Sequence, residues 1–159
     1  LVGNLPYNIS TPLIFHLLSF KDCIKDMHFM LQKEVVERMA ASPSTKAYGR
    51  LSIMTQYLCS VQEIIEVPPD CFSPAPKVRS AVVRLIPRAF PHGQAKDPAA
   101  LSLVVATAFQ QRRKTLANAL KNILSTEDIS AAGIDAKLRP DTLDIVSYIK
   151  LANQLTAIS

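Results

Sequence analysis

The apolar pattern of this chain changes once, at RAFPHGQAKDP (residues 88–98), and that change constrains the fold more than any other feature. Before it, short apolar runs alternate with helical periods; after it, every apolar stripe repeats at helical spacing. Leu1, Val2 and Gly3 read as the tail of a buried strand, and Ser10-Thr11-Pro12 supplies a cap and a first-turn proline for a helix carrying Leu13, Ile14, Leu17 and Leu18. In DMHFMLQKEVVERM a second buried strand leads into a helix from about Lys33, with Val35, Val36 and Met39 at helical spacing. A further helix follows from Leu51 to about Leu58. VQEIIEVP, with Val61, Ile64, Ile65 and Val67, is a strand closed by Pro68-Pro69, and SAVVRLIP is another beyond the proline-rich CFSPAPKVR. These elements predict the second half of an α/β sheet, mostly parallel with an antiparallel strand at one edge.

Residues 88–98 read as a linker, which puts a domain boundary near residue 92 and divides the chain into 1–92 and 93–159. Beyond it, Asp97-Pro98 caps AALSLVVATAFQQ, and TLANALKNIL sets Leu116, Leu120, Ile123 and Leu124 on one face. Ser125 to Asp128 is a capping box ahead of Gly133. A last helix from about Thr142 buries Ile145, Tyr148, Ile149, Ala152 and Leu155.

Charge is distributed unevenly. Of 18 Lys and Arg and 13 Asp and Glu, the stretch from Lys77 to Lys121 holds nine bases against one acid, Asp97. That leaves nine bases and twelve acids elsewhere, so a block of +8 sits in a remainder of −3. Such a block is the footprint of a polyanionic partner, most simply nucleic acid, or else a solvated basic face. No apolar run reaches the roughly 18 residues of a membrane span, and the chain carries no recognisable export signal; a soluble, cytoplasmic monomer is expected. Cys23, Cys59 and Cys71 lack CxxC spacing, Cys23 and Cys59 are expected to pack as small hydrophobes, and His16, His28 and His92 are scattered, so neither zinc nor another metal is expected.

The chemistry concentrates in Asn4-Leu5-Pro6-Tyr7, placed between a strand and a helix. In open α/β sheets ligands bind at the carboxyl ends of strands. Asn4 offers an amide oxygen, and Pro6 forces an extended chain that leaves the carbonyl of Leu5 or its own unpaired, so two acceptors are available to one exocyclic amine while Tyr7 stacks on its ring. Adenine's amine is a poor nucleophile because its lone pair is delocalised. Acceptors that draw its hydrogens out of plane localise that pair and aim it, which is catalysis by positioning and electrostatics. The bland alternative is an ordinary turn with a half-buried tyrosine.

NLPYNISTPLIFHLL is similar to the catalytic motif and following helix of adenine-amine methyltransferases that use S-adenosylmethionine. With HFMLQKEVVERM, YGRLSIMTQY, FSPAPKVRSAVVRL, FQQRRKTLANAL and GIDAKLRPDTLDIVSYIKLAN in the same order, essentially the whole chain resembles the ribosomal RNA small-subunit adenine dimethyltransferases, the KsgA/RsmA family. The resemblance implies the second half of a Rossmann-like class I methyltransferase sheet (1–92) plus a small all-α C-terminal, RNA-binding domain (93–159). It implies Asn4, Leu5, Pro6 and Tyr7 as the catalytic motif, with Asn4 between the methyl donor and the target amine. The implied reaction places two methyl groups on each of two adjacent adenosines near the 3′ end of small-subunit (16S) ribosomal RNA, within small-subunit biogenesis.

Phe72 matches a family aromatic near the target base and is expected to oppose Tyr7 in a stacking clamp, or simply to pack its loop. Lys77, Arg79, Arg112, Arg113 and Lys114 are the candidate phosphate contacts, with helix capping and solvation as the alternative. Lys33 and Glu34 of QKEV read as structural charges, and Arg50 is a weaker RNA candidate. A noncatalytic ribosome-assembly module and the erythromycin-resistance methyltransferases of large-subunit RNA are competing readings.

The family's glycine-rich loop and the acidic residues that cradle the cofactor's methionine and ribose have no counterpart here: Gly3, Gly49, Gly93 and Gly133 are dispersed. No methyl transfer is therefore expected from these 159 residues alone, and measurable turnover of labelled S-adenosylmethionine by them would contradict that expectation.

Overall fold

The computed structural model describes all 159 residues, which separate into two compact units: Leu1–Ala41 with Thr55–Pro91, and Ser42–Met54 with His92–Ser159. In the first, β1 (Val2–Asn4), β2 (Met27–Gln32), β3 (Cys59–Val67) and β4 (Ser80–Pro87) form one sheet in the spatial order β1, β2, β4, β3. β1 and β2 pair in parallel, and β4 is antiparallel to both β2 and β3. Three strands thus share a direction, as the sequence suggests, but the reversed strand lies inside the sheet rather than at its edge. The composition of β4 suits that place: Ala81, Val83 and Leu85 are fully buried and alternate with partly exposed Val82, Arg84 and Ile86.

Both edges of the sheet expose apolar residues. β1 pairs on one side only, so Leu1 and Val2 are 56% and 87% exposed instead of buried. In β3 the register shifts between Glu63 and Ile65, and this bulge leaves Ile64 and Ile65 exposed. Of the two cysteines expected to pack, Cys59 is buried, its thiol donates to the Thr55 carbonyl at 3.2 Å, and burial pushes its pKa up to about 12. Cys23 is exposed.

The helices of this unit are α1 (Ser10–Leu18), α2 (Lys33–Ala40) and the latter part of α3 (Arg50–Leu58). Ser10 does not cap α1 but is its first residue, with Ile9 at the cap position; its buried hydroxyl donates to the Tyr7 carbonyl at 3.3 Å. Along α2, Val36 and Met39 are buried, and the helix packs on β2, β3 and β4.

The second unit is built from α4 (Pro98–Gln110), α5 (Leu116–Ala119), α6 (Thr126–Ala131) and α7 (Ile145–Ile158). Asp97 caps α4 by accepting from the Ala99 N–H at 2.9 Å, and Ser125 and Asp128 form the expected capping box of α6. Asp144 caps α7 through the Ser147 N–H at 2.8 Å, so that helix starts later than Thr142, which lies in a 3₁₀ turn. The expected helix over TLANALKNIL reduces to the single turn α5, yet Leu116, Leu120 and Leu124 are buried as predicted.

Ser42–Met54 lies with these helices although the sequence places it within 1–92. The hydroxyls of fully buried Tyr48 and Tyr148 donate to the Leu143 and Pro140 carbonyls, each at 2.7 Å, and Phe109 lies between their rings at centroid distances of 6.3 and 6.1 Å. These contacts give the segment buried polar and aromatic partners that no sequence periodicity records.

One polar cluster holds the loop between β3 and β4. Lys33, at the start of α2, donates its backbone N–H to the Arg79 carbonyl at 2.9 Å and its Nζ to Glu66 Oε2. Arg79 forms an ion pair with the other Glu66 oxygen at 2.7 Å, so Glu66 and Arg79 clasp the two ends of the loop that runs from Pro68 to Val78. The Lys33 hydrogen bond, the largest influence, lowers the Glu66 pKa against the opposing effect of desolvation, with the charges of Arg79 and Lys33 adding to the lowering; the same bond raises that of Lys33.

A carboxylate whose pKa falls on folding stabilises the fold above its unfolded pKa, near 4.5, and that contribution disappears as pH drops through the folded value. Lys33 contributes below its unfolded pKa, near 10.5, and loses that contribution as pH rises through its raised value. Glu66→Gln is therefore expected to lower the thermal midpoint at neutral pH, with the difference from the unsubstituted protein shrinking as pH falls below 4.5 in melts followed by circular dichroism.

Candidate active site

The carboxyl end of β1 opens directly into the NLPY loop. Asn4 pairs opposite Met30 as the last residue of the strand, and the Leu5 N–H donates to the Met30 carbonyl at 3.3 Å, extending the ladder by one residue. Leu5 is buried and anchors the loop. Pro6 then turns the chain, and its carbonyl accepts the Ile9 N–H at 3.3 Å. Of the two carbonyls that the sequence leaves as candidates, Pro6's is thus engaged locally, while Leu5's accepts no hydrogen bond from the protein. The Asn4 amide is likewise unengaged and exposed.

Tyr7 is 39% exposed and shares a 2.9 Å hydrogen bond with the buried Ser80 hydroxyl. Its ring, together with Asn4, Leu5 and Pro6, lines an open cleft of ≈ 340 Å³ whose other lining residues are Phe72, Pro74 and Pro76. The structure thereby brings Phe72, 68 positions beyond Asn4, to the same cleft as the whole NLPY motif. The lining is mostly apolar, with unengaged acceptors at one end, which suits a flat heteroaromatic ring bearing an amine.

The candidate cations fall into two groups. Lys77, Arg113 and Lys114 are exposed. Arg79 is drawn into the Glu66 pair, although its side chain is still 63% exposed. Arg112 is engaged: its guanidinium donates to the Thr45 carbonyl at 3.0 Å and the Lys46 carbonyl at 2.8 Å, and it lies 3.5 Å from Asp141. Arg112 thus serves the packing of the Ser42–Gly49 loop, which carries exposed Lys46 and leads into exposed Arg50 at the start of α3. Lys33, read from sequence as structural, is paired as expected; Glu34 is exposed.

Sequence reasoning missed Ser80, although the residue lies inside the block FSPAPKVRSAVVRL and is a serine opening an otherwise apolar strand, SAVVRLIP.

No helix is long and apolar enough to cross a membrane, and no group of three or more His, Cys, Asp or Glu side chains is placed to hold a metal ion. At the β1 end the Asn4 amide stands neutral and unengaged beside the cleft.

The family model described as ribosomal RNA adenine dimethylase matches residues 1–157. The chain is 60% identical over 157 residues to the ribosomal RNA small subunit methyltransferase A of Pseudomonas aeruginosa, covering 99% of this chain and 59% of that protein. To the protein of the same name from Colwellia psychrerythraea it is 61% identical over 151 residues, covering 95% of this chain and 50% of that one. The chain therefore spans about half to three-fifths of the length of these relatives.

Among solved structures, a dimethyladenosine transferase from Plasmodium falciparum superposes with a TM-score of 0.77 at 27% identity, over 94% of this chain and 64% of that one. The 23S rRNA methyltransferase ErmE superposes at 0.68 and 22% identity, over 98% and 64% of the two chains, a likeness of fold. With the strand, loop and helix at Asn4 in place, the match over residues 1–157 shows that this chain belongs to the ribosomal RNA adenine dimethylase family.

Proposed function

We propose that this chain carries the adenine-handling face and the helical RNA-facing unit of an S-adenosylmethionine-dependent enzyme that dimethylates the exocyclic amines of two adjacent adenosines near the 3′ end of small-subunit ribosomal RNA. The observation that carries this reading is the pair of unengaged acceptors, the Asn4 amide oxygen and the Leu5 carbonyl, at a cleft lined by two aromatic rings.

In the proposed mechanism a target adenine leaves its stack and enters between Tyr7 and Phe72, whose rings replace the lost base stacking. Asn4 Oδ1 and the Leu5 carbonyl accept the two hydrogens of its amine. The Leu5 carbonyl is held before the base arrives by the buried Leu5 side chain and its backbone bond to Met30, and the Asn4 backbone by its place at the end of β1, so the loop itself does not reorganise during the reaction. Drawing the two hydrogens toward protein oxygens localises the nitrogen lone pair and directs it away from the ring plane.

When bound, S-adenosylmethionine supplies the electrophilic methyl carbon; of the residues in this chain, Asn4 is the one that would contact it. The amine becomes acidic once alkylated and loses its proton then, so no side chain with a shifted pKa is needed to begin. The apolar prolines Pro74 and Pro76 line the rest of the cleft and limit water near the amine.

Exposed Lys77, Arg113 and Lys114 serve as phosphate contacts, and the basic block from Lys77 to Lys121 provides the field that attracts the RNA. Arg112 contributes by ordering the loop that carries Lys46 rather than by touching phosphate. A small ribosomal subunit is thus the proposed partner.

The test uses the full-length protein that contains this chain, with labelled S-adenosylmethionine and undermethylated small ribosomal subunits as substrate. Asn4→Ala is expected to lower methyl transfer by roughly a hundredfold or more while leaving subunit binding within about twofold, the pattern of a lost positioning acceptor. Equal transfer by the two proteins would overturn the mechanism; subunit binding without transfer by either would favour an assembly factor, and transfer to large subunits instead would favour the other ribosomal substrate.

A further inference from the structure

Ser80 is fully buried, and the partner of its hydroxyl is the Tyr7 phenol, 2.9 Å away. A buried hydroxyl must find a hydrogen bond, and this one finds it on a ring that lines the cleft. We infer that Ser80 is a positioning residue for adenine methylation, acting through Tyr7, and that the single strand end it occupies sets both walls of the base clamp. The inference rests on the function proposed above.

Three features support it. First, Ser80 is held on both sides by the sheet, opposite Gln32 of β2 and Val67 of β3, so its Oγ is presented from the interior strand rather than from a loop. Second, Tyr7 is gripped at both ends: the Ser10 hydroxyl donates to its carbonyl at 3.3 Å, and the Ser80 hydroxyl holds its phenol. With its backbone carbonyl and its phenol both anchored, the ring is held at its tip on a restrained main chain, and its two side-chain torsions lose freedom before any base is bound.

Third, Ser80 ends the loop that carries Phe72, and the clasp formed by Lys33, Glu66 and Arg79 lies immediately before it. One wall of the cleft is therefore tied to the start of β4 by a hydroxyl, and the other by the covalent chain and its ion pairs. Stacking on a base needs only the face of the Tyr7 ring; a phenylalanine would supply that face equally. The phenolic oxygen is accounted for by the anchor to Ser80.

The experiment compares the full-length protein with Ser80→Ala, Tyr7→Phe and the double variant, measuring kcat and KM for methyl transfer to undermethylated small subunits. Each single variant is expected to lower kcat about tenfold with KM little changed, and the double variant to match Tyr7→Phe alone, because both remove one shared bond. Tyr7→Phe removes that bond from the exposed side, so the comparison survives if Ser80→Ala folds poorly. A double variant that falls by the product of the two single effects, or a Ser80→Ala protein with unchanged kcat, overturns the inference.

A second readout is independent of activity. With ring-labelled tyrosine, the Tyr7 resonance, assigned from Tyr7→Phe, is expected to shift or broaden in Ser80→Ala while those of Tyr48, Tyr57 and Tyr148 stay in place. An unmoved Tyr7 resonance overturns the inference. If the unsubstituted protein transfers no methyl groups, the proposed function fails on its own, and the resonance still decides whether Ser80 positions the ring.

Discussion

The antiparallel insertion of β4 between β2 and β3 is the constraint on which the rest of the first unit depends. It puts a strand with buried Ala81, Val83 and Leu85 at the centre of the sheet, where ladder bonds on both sides fix its backbone. Both aromatic walls of the cleft are referred to the start of that strand. Ser80 reaches Tyr7 from it, and the Phe72 loop runs into it, held by Lys33, Glu66 and Arg79. The NLPY loop itself is set by β1 and β2, whose parallel register places Asn4 beside Met30 at the end where ligands bind in α/β sheets.

In the second unit, packing rather than hydrogen-bonded sheet does the corresponding work. Phe109 lies between the buried rings of Tyr48 and Tyr148, whose hydroxyls satisfy carbonyls near the start of α7. Arg112 bonds two carbonyls of the Ser42–Gly49 loop and thereby spends its charge within the protein. The division of labour among the three consecutive cations follows: Arg112 builds the surface, while Arg113 and Lys114 stand out from it. A run of like charges in a sequence does not distinguish these roles, because the distinction depends on carbonyls some 66 residues away in the chain.

Local signals were legible in the sequence and long-range pairings were not. Strand β4, the capping box at Ser125, the Asp97 cap and the NLPY loop all depend on residues within a few positions of one another, and each lies where the sequence puts it. The exposure of Val2 and of Ile64 depends instead on which strand lies alongside, and on a bulge, neither of which apolar composition records. The start of α7 shifts because Asp144, three positions before Ser147, caps better than Thr142, which bonds back to Arg139. Ser42–Met54 was misplaced for the same kind of reason: its partners are Leu143 and Arg112. At the cleft, residue chemistry points to NLPY and family resemblance to Phe72, but the choice of Leu5 over Pro6 as the free carbonyl, and the presence of Ser80, require the fold.

The most direct test of the account is a crystal structure of the full-length protein with an adenosine nucleotide bound. The account predicts the base between the Tyr7 and Phe72 rings, with its exocyclic nitrogen within hydrogen-bond distance of both Asn4 Oδ1 and the Leu5 carbonyl oxygen. A base bound in this cleft with its amine turned away from those two oxygens, or held elsewhere with the cleft empty, would contradict it.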